Sequence, residues 1–429
     1  MTLANPKADA IETLIARHAA PDIAVAWAET ARGAAFSRLR EMGAPGRRDE
    51  YWKFTDPGRL TAPDAAAYAP VDGDEVAIFS DVDRLELVFV DGKFSADQSG
   101  DLDMSGLTIE PLSNAMAQDI HWASDLYGAL ETNGQNPVSR PFAALNTAVA
   151  TQGFAIRVSG KPAKPVAFRY VRTGATPDAA IHHVIKIDAG AEFTVLEDGT
   201  AASRYNNCIE VDVADNAGFH HIRAQGRDHD RLAMTHMFAR LGTESSFKSF
   251  TLSVNGALTR NECVIELTGD DASAHIAGAA AGHDDFHHDD TVFITHDAVN
   301  CESRQVFKKV LRNGAVGVFQ GKILVKAGAQ KTDGYQISQG LMLDDDSQFL
   351  AKPELEIYAD DVACSHGSTV GAVDEEALFY LTSRGVPRHK AQELLLLAFL
   401  DEAIAEIADE DLANIIRDRL AVWLMRKGD

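Results

Sequence analysis

The sequence predicts a mainly β protein in which a parallel β-helix core lies between an N-terminal and a C-terminal helical region. Short runs rich in β-branched and aromatic residues fill the stretch from about residue 76 to residue 365. Glycine, asparagine or aspartate separates most of these runs, and few segments of helix length with helical spacing of apolar residues lie among them. With 429 residues, of which 45% are hydrophobic, the chain is long enough for more than one structural unit.

The N-terminal helical region is predicted over residues 1–75. Within it, residues 22–42 carry apolar side chains at three- and four-residue spacing, and Gly43 ends this helix. The segment RRDEYWKFTDP follows at 47–57 and mixes aromatic with charged residues. The stretch 61–75 is rich in alanine, proline and aspartate, which predicts a linker.

The predicted core, residues 76–365, is too long for a single β-sandwich, which takes about 100 residues. Runs such as AFRYVR, HHVIKI and TVFITH lack the long, clean alternation of an up-and-down barrel. In a β-helix each coil stacks on the next, so short strands and frequent turns fit. No fixed repeat period is visible, so the prediction rests on the short strands and turns themselves.

The C-terminal helical region is predicted over residues 366–429. Asp374 fits a helix N-cap, with two glutamates in the first turn, and Gly385 fits the end of the same helix. Two further helices are predicted at about 388–408 and 411–427, each with one apolar face.

The net charge of the chain limits the classes of partner that we expect, and its cysteine content indicates the cellular compartment. The formal net charge is −24, and such an acidic surface repels phosphates and anionic lipid heads, so neither nucleic acid nor a membrane is expected as a partner. No secretory signal opens the sequence, and the longest aliphatic stretch, residues 394–400, is too short to span a bilayer. The four cysteines show no C-x-x-C spacing, which predicts free thiols in the cytoplasm.

The sequence offers little that points to catalysis. It contains no phosphate-binding loop, no G-x-S-x-G elbow and no H-E-x-x-H. The segment GAVGVFQGK at 314–322 resembles a phosphate loop in composition but sits between β-rich runs. We therefore expect a protein that is not an enzyme.

The densest group of polar residues is GHDDFHHDDTVFITHD at 282–297, which contains His283, His287 and His288 among several aspartates. Imidazole and carboxylate both bind first-row metals, so a metal site is one interpretation. The alternative, which the sequence favours, is a solvated acidic turn between two strands, because a run of residues does not establish converging ligands.

A second candidate is the pair Cys364 and His366 in CSHG. On an extended segment both side chains point to the same face, where a thiol and an imidazole can bind iron or zinc, or pass sulfur. A bare C-x-H pattern is more often structural. The pairs His182–His183 and His220–His221 alternate between faces and do not chelate. The other three cysteines are predicted to be inert thiols of the β core.

Several ordered motifs resemble one known family. FQGKI, AQKTDGYQ, KPELEIYADDVACSHGSTVG and DEEALFYLTSRGV, all between residues 312 and 397, resemble the C-terminal signature of the SufB/SufD family of iron–sulfur cluster assembly proteins. EYWKFT at 50–55, RPFAALN, LTRNE and CESRQVFKKVL resemble further family segments. The EYWKFT element and the shorter overall arrangement of the chain resemble the SufD branch of the family. The segment YQISQGLML lacks the cysteine that SufB-like chains carry there, so an independent sulfur-accepting role is not expected.

The resemblance implies a right-handed parallel β-helix that acts as a non-catalytic scaffold in building a nascent iron–sulfur cluster. A SufB-like subunit would pair with it through the β-helices, and a SufC-like ABC-type ATPase would bind the helical C-terminal region and hydrolyse ATP. Sulfur would come from a cysteine desulfurase system. The functional histidine of the family falls on His366, and its neighbouring cysteine on Cys364; both are expected near the interface and linked to iron entry.

The resemblance also implies an ATPase-binding helix in LFYLTSRG. The residues expected to take part are Leu378, Phe379, Tyr380, Arg384 and Gly385. The alternative is that its apolar residues pack on the end of the β-helix, which open solenoid ends require. A reduced flavin is associated with the family's complex, but no flavin fingerprint is found in the sequence. A homodimer of the isolated chain is plausible, because β-helix edges are exposed.

Two other functions remain open. Many β-helix proteins cleave acidic polysaccharides, but the missing secretory signal and the acidic balance argue against such an enzyme. A free-standing metal-binding protein would use His283, His287 and His288. Metal titration of a variant with these three histidines replaced by alanine separates it from the scaffold.

Overall fold

From residue 154 onward, successive strands of the chain enter two sheets in alternation, so that coil stacks on coil in a parallel β-helix. The computed structural model describes residues 6–18, 25–64, 77–226 and 228–425. The strands are β1 (Leu85–Val90), β2 (Lys93–Phe94), β3 (Leu107–Pro111), β4 (Phe154–Val158), β5 (Val166–Val171), β6 (Asp178–Ile187), β7 (Glu192–Gly199), β8 (Arg204–Val213), β9 (Gly218–Gln225), β10 (Leu232–Leu241), β11 (Ser246–Val254), β12 (Leu258–Leu267), β13 (Ser273–His283), β14 (His287–His296), β15 (Glu302–Arg312), β16 (Val316–Val325), β17 (Asp333–Met342), β18 (Gln348–Ile357) and β19 (Ala363–Gly371).

The helices lie before, between and after the strands. They are α1 (Pro6–Ala16), α2 (Ala26–Met42), α3 (Gly58–Thr61), α4 (Leu112–Ala115), α5 (Ala129–Asn133), α6 (Pro141–Val149), α7 (Glu375–Ser383), α8 (Arg388–Ile404) and α9 (Glu410–Met425). Short 3-10 turns occur at Glu50–Trp52, Ala96–Gln98 and Trp122–Asp125. None of the helices in the described ranges is both long and apolar enough to cross a membrane.

One sheet has ten strands in the order β19-β17-β15-β13-β11-β9-β7-β5-β1-β2, and the other has nine in the order β18-β16-β14-β12-β10-β8-β6-β4-β3. From β4 onward every pairing is parallel. Antiparallel pairing occurs only at the start, between β1 and β2 and between β3 and β4, as far as the described strands go. The mainly β, parallel β-helix fold expected from the sequence is confirmed.

The spacing between stacked residues varies from coil to coil. Leu232 on β10 pairs with Leu258 on β12, whereas Val316 on β16 pairs with Gln348 on β18. The first pair is 26 residues apart and the second is 32. Because the turns differ in length while the strands keep register, the sequence shows no fixed period.

The turns explain why asparagine and aspartate separate the strands. Asn216, Asp271 and Asn300 adopt φ values of 58°, 59° and 59°, the left-handed region that these short polar residues tolerate. The turns stack as the coils do: the amide of Asn216 donates to the carbonyl of Thr243, at 2.8 Å. Each turn therefore satisfies backbone groups of the turn beneath it.

Three apolar layers hold the fold together. Inward-facing residues of both sheets, such as Phe168, Ile209 and Phe247, fill the interior of the β-helix. Helices α2 and α6 cover the outer face of the nine-stranded sheet, where Leu39 and Phe142 pack. Helices α8 and α9 cover the outer face of the ten-stranded sheet; there Leu400 and Ile416 pack against Phe250 and Val306.

Two details differ from the sequence-based expectations. Residues 112–149, placed in the β core, form helices α4, α5 and α6. The last strand runs to Gly371, so β structure continues past residue 365. Helices α8 and α9 lie along the side of the β-helix. Most of the expected linker at 61–75 lies outside the described residues.

Candidate functional site at the open end of the β-helix

The C-terminal end of the β-helix carries two strands with free edges. In the part of the chain that the structure describes, β18 pairs only with β16, and β19 pairs only with β17. Ile357, Tyr358 and Val370 are exposed apolar residues of this last coil. Unpaired backbone groups beside exposed apolar side chains form a surface to which another strand can add.

Cys364 and His366 both lie on β19. Cys364 pairs in register with Gly334 of β17, and His366 pairs with Gln336. Gly334 and Gln336 are buried and face the interior of the β-helix. The two side chains therefore project from the inward face of the last strand, as their spacing predicts. Since no further coil of the described residues covers this face, His366 is exposed and Cys364 is half-buried.

The thiol of Cys364 lies in an apolar pocket formed by Ile323, Val325 and their neighbours. A Cβ atom on Gly334 would lie 3.2 Å from its Sγ, so a side chain at this position would press against the thiol. Burial raises the pKa of the Cys364 thiol above its usual value; a backbone hydrogen bond from Gly334 opposes this effect, and Asp333 adds to it. The thiol is thus protonated at neutral pH and needs a metal ion to become a good ligand.

The imidazole of His366 lies above the last layer of buried amides. Beneath it, Gln336 donates from Nε2 to Oε1 of Gln305 at 2.9 Å. One step along β19, Ser368 and Ser338 share a hydrogen bond of 2.7 Å. Among the described residues no side chain hydrogen-bonds the ring of His366, so both of its nitrogens are accessible from outside.

The histidines at 283–288 point in different directions. The ring of His283 pairs with the carboxylate of Asp284 at the turn. On β14, His287 faces outward and lies 3.0 Å from the hydroxyl of Thr55. His288 faces inward, and its Nδ1 lies 2.9 Å from Nζ of Lys309. Within the described ranges no three His, Cys, Asp or Glu side chains are placed to hold a metal ion.

The solvated acidic turn expected over 282–297 is therefore wrong for most of that stretch. Asp284 and Asp285 lie in an exposed turn and Asp297 is exposed after β14, but His288, Asp289 and Asp290 are buried within β14. Burial, and then the charge of Lys309, holds the pKa of His288 well below its usual value.

The other histidine pairs and cysteines are structural. His182 and His183 are both fully buried and face opposite sides of β6, where His182 Nε2 contacts Glu210 at 2.8 Å. His221 contacts Glu197 at 2.8 Å. The three remaining cysteines are buried, as expected: Cys208, Cys263 and Cys301.

Sequence reasoning missed a polar network inside the β-helix. Arg223 donates to Glu197 at 2.7 Å and to Thr235 at 2.8 Å, and Thr235 donates to Asn261 at 2.8 Å. Asn261 contacts His288 at 3.2 Å, beside the buried pair of Lys309 and Asp290. The only signal in the sequence is a polar residue at every second position of these strands. Hydrogen bonds between interior polar groups of this kind favour one register of the coils.

Helix α7 carries the second candidate surface. Asp374 caps it by accepting from the amides of Glu376 and Ala377, as the sequence predicts. Phe379 and Tyr380 are 73% and 56% exposed, whereas Leu378 is 1% exposed and packs inward. Leu378 is therefore unavailable to a partner.

The end of α7 adds charge to that surface. The guanidinium of Arg384 lies over the ring of Tyr380, 3.5 Å from its centroid. Gly385, at φ 88°, turns the chain toward α8, where Leu394 is also exposed. Together these groups form a small aromatic and cationic patch.

The fold belongs to the β-helix class of solenoid proteins, and its open end carries a thiol and an imidazole side chain. A family model described as "SUF system FeS cluster assembly, SufBD core domain" matches residues 170–399, and one described as "SufBD protein N-terminal region" matches residues 12–164. The chain belongs to the SufBD family of iron–sulfur cluster assembly proteins.

Individual relatives agree with this assignment. The chain is 28% identical over 399 residues to the iron-sulfur cluster assembly protein SufD of Escherichia coli (strain K12), covering 89% of this chain and 90% of that protein. It is 27% identical over 411 residues to a SufBD family protein of Synechocystis, covering 90% and 89%. A SufBD family protein of Mycobacterium tuberculosis (strain CDC 1551) is 26% identical over 265 residues, covering 60% and 66%.

Proposed function

We propose that the chain is a non-catalytic scaffold subunit of a SufBCD-type complex that assembles nascent iron–sulfur clusters in the cytoplasm. Its part is iron acquisition at the interface with a SufB-like subunit. The observation that carries this proposal is the position of Cys364 and His366 on the inward face of β19, at the uncovered end of the β-helix.

The free edges of β18 and β19 support a partner with the same architecture. A second β-helix continues both sheets through main-chain hydrogen bonds and covers Ile357, Tyr358 and Val370. A SufB-like subunit is the proposed partner, and a second copy of this chain takes its place when the protein is isolated.

Iron and the growing cluster are cargo at this interface. Cys364 and His366 supply one sulfur and one nitrogen ligand, and tetrahedral iron sites take four ligands, so the SufB-like partner supplies the rest. Because burial raises the pKa of the Cys364 thiol, binding of iron releases a proton from it. Ligands divided between two chains also allow release when the chains move apart.

The aromatic patch on α7 supports binding of a SufC-like ABC-type ATPase, which would hydrolyse the ATP. Phe379 and Tyr380 give apolar contact area, Arg384 gives a charged rim, and Gly385 sets the angle of the next helix. Exposed aromatic and arginine side chains are typical interface residues. Leu378 supports the patch from inside.

No described residue is assigned to a reduced flavin. Nucleotide phosphates are commonly held by a glycine-rich turn from a strand into a helix. In the described ranges only β3 and β19 lead into α helices, through Pro111 and residues 372–374, and neither connection is rich in glycine. No step of the proposed function involves a flavin bound to this chain.

The test is co-expression of this chain with SufB-like and SufC-like proteins of the same source, followed by affinity capture. Partner stoichiometry, iron and sulfide are measured for wild type and for His366→Ala. We expect His366→Ala to retain both partners and to lose most of the iron and sulfide.

The matched control is His283→Ala, which removes a histidine whose ring pairs with Asp284 far along the chain from β19. We expect this variant to keep wild-type iron and sulfide. If His283→Ala loses metal as His366→Ala does, the free-standing metal-binding protein becomes the better hypothesis. If neither partner is captured, the scaffold role is wrong for this chain.

A further inference from the structure

A cavity of about 460 Å³ lies between the ten-stranded sheet and the C-terminal helices. Its floor is the outer face of β11, β13 and β15, and its walls come from α8 and α9. It lies on the side of the β-helix, and none of Cys364, His366, Phe379 or Tyr380 lines it. The cavity is therefore separate from both candidate surfaces described above.

Small residues in β13 create the space. Val254, Ala281 and Val310 form one row across three neighbouring strands, and Gly282 follows Ala281 on the floor. The opposite walls are large and apolar, with Leu396 on α8 and the indole of Trp423 on α9. A volume of this size, bounded mainly by apolar side chains, is in the range of small-molecule sites.

The polar side chains that line the cavity belong to Arg312, His389, Gln392 and Glu393. Arg312 lines it and is half-buried, and no side chain in the described ranges forms an ion pair or hydrogen bond with its guanidinium. The first turn of α8 contributes His389 to the lining and contains no acidic residue. The one lining carboxylate, Glu393, is held by Lys390 at 2.8 Å.

We propose that this cavity binds an amphipathic organic anion. The aromatic or aliphatic body of the ligand packs against Trp423, Leu396 and Ala281, and its carboxylate, sulfonate or phosphate group pairs with Arg312. A half-buried guanidinium without a carboxylate partner is completed by such a group, because charge-assisted hydrogen bonds are the strong ones in a desolvated site. The inference is independent of the proposed function.

The experiment uses two fluorescent probes of almost the same shape. 8-Anilinonaphthalene-1-sulfonate carries a negative charge, and N-phenyl-1-naphthylamine lacks it. Binding of each is followed by probe fluorescence and by energy transfer from tryptophan. Of the four tryptophans, Trp27, Trp52 and Trp122 belong to the layer on the nine-stranded sheet, so Trp423 is the donor at the cavity.

Arg312→Gln should weaken binding of the anionic probe roughly tenfold and leave binding of the neutral probe unchanged, because only the pair between the guanidinium and the anionic group is lost. Ala281→Leu should abolish binding of both probes by filling the floor, and Ala281→Val gives the same test with a smaller change. Trp423→Phe should remove most of the energy transfer. The matched control for charge is Arg47→Gln, an exposed arginine.

Each variant is first shown to have the wild-type circular dichroism spectrum and melting curve. The proposal is overturned if the Arg312→Gln and Arg47→Gln variants bind the anionic probe equally well. It is also overturned if a folded Ala281→Val or Ala281→Leu variant binds both probes as wild type does, because binding then occurs elsewhere.

Discussion

The guanidinium of Arg260 lies over the indole ring of Trp52, 4.3 Å from the ring centroid, although 208 positions separate Trp52 from Arg260 in the chain. The same guanidinium pairs with Glu262 at 2.7 Å and with Asp289 at 2.8 Å. Burial opposes the charge of Arg260, but Asp289 and Glu262 outweigh it and raise its pKa above the usual value. The buried cation is thus fully paired.

This cluster attaches the EYWKFT segment to the β-helix. Arg260 also donates to the carbonyl of Tyr51 at 2.6 Å, and Gln320 donates to the same carbonyl at 3.2 Å. Thr55 donates to Asp289 at 2.5 Å. The segment therefore holds the N-terminal helical layer against strands β12, β14 and β16, and its role in this chain is structural.

Removing the buried positive charge of Arg260 should lower the free energy of unfolding strongly. Arg260→Met removes the cation shared by two buried carboxylates, Asp289 and Glu262, and breaking a buried pair in this way costs about 3–5 kcal/mol. The measurement is the urea midpoint of unfolding at pH 7. The matched control is Arg240→Met on the adjacent strand, whose pair with Asp212 is exposed, and a change of about 0–1 kcal/mol is expected there. Equal losses in the two variants would contradict the central role of Arg260.

Stability should fall as the pH drops below 6.5, because several buried histidines stay neutral in the folded protein. Burial lowers the pKa of His183 to about 3 and the pKa of His296 to about 4. Burial also lowers the pKa of His220 to about 4, with help from His221. Between pH 6.5 and 4 the unfolded chain binds more protons than the folded chain, so the free energy of unfolding decreases with decreasing pH.

The variant His296→Gln tests this dependence. It should reduce the loss of stability between pH 7 and pH 5 by about 1–2 kcal/mol, since one group no longer takes up a proton on unfolding. His296 contacts Ser303 at 2.8 Å, and glutamine retains a polar group for this serine. The surface variant His389→Gln is the control. If both variants keep the wild-type slope of urea midpoint against pH, buried histidines do not govern acid sensitivity.

Sequence reasoning succeeded where local chemistry determines the structure. Strands rich in β-branched residues, the Asp374 cap and the asparagine turns all follow from residues close together in the chain. Strand β13 was not identified, because SAHIAGAAAGH has few residues with high strand propensity. Its outward alanines are small because α8 packs there, which is a tertiary requirement. Helix α6 was missed for a related reason: it is buried on all sides and shows no amphipathic pattern.

The sequence likewise predicts some features of the candidate site and not others. The shared face of Cys364 and His366 follows from strand alternation alone. The burial of His288 and Asp290 could not be predicted, because their partner Lys309 is brought to them by stacking of the next coil. The inward position of Leu378 likewise depends on how α7 packs, and a run of three apolar residues does not specify it.

The four thiols should differ in reactivity. With 5,5′-dithiobis-(2-nitrobenzoate) we expect one thiol to react in the native protein, Cys364, because the other three are buried. Its rate should be slow at pH 7 and rise with pH, since burial raises the pKa of Cys364 and the thiolate is the reactive form. In Cys364→Ser no native thiol should react, and unfolding should expose three. A second fast thiol in native Cys364→Ser protein would show that the core thiols are accessible.

Neighbouring residues of α7 should separate binding from stability. Phe379→Ser removes an exposed side chain and should weaken capture of a SufC-like ATPase by roughly 30-fold, as loss of an interface anchor does, with no change in melting temperature. Leu378→Ala removes a buried side chain and should lower stability by about 2–5 kcal/mol. The control is Val422→Ser, which changes an exposed apolar residue of α9. It should alter neither the capture of the ATPase nor the stability of the protein. If Phe379→Ser and Val422→Ser bind the ATPase equally well, the ATPase does not use the patch on α7.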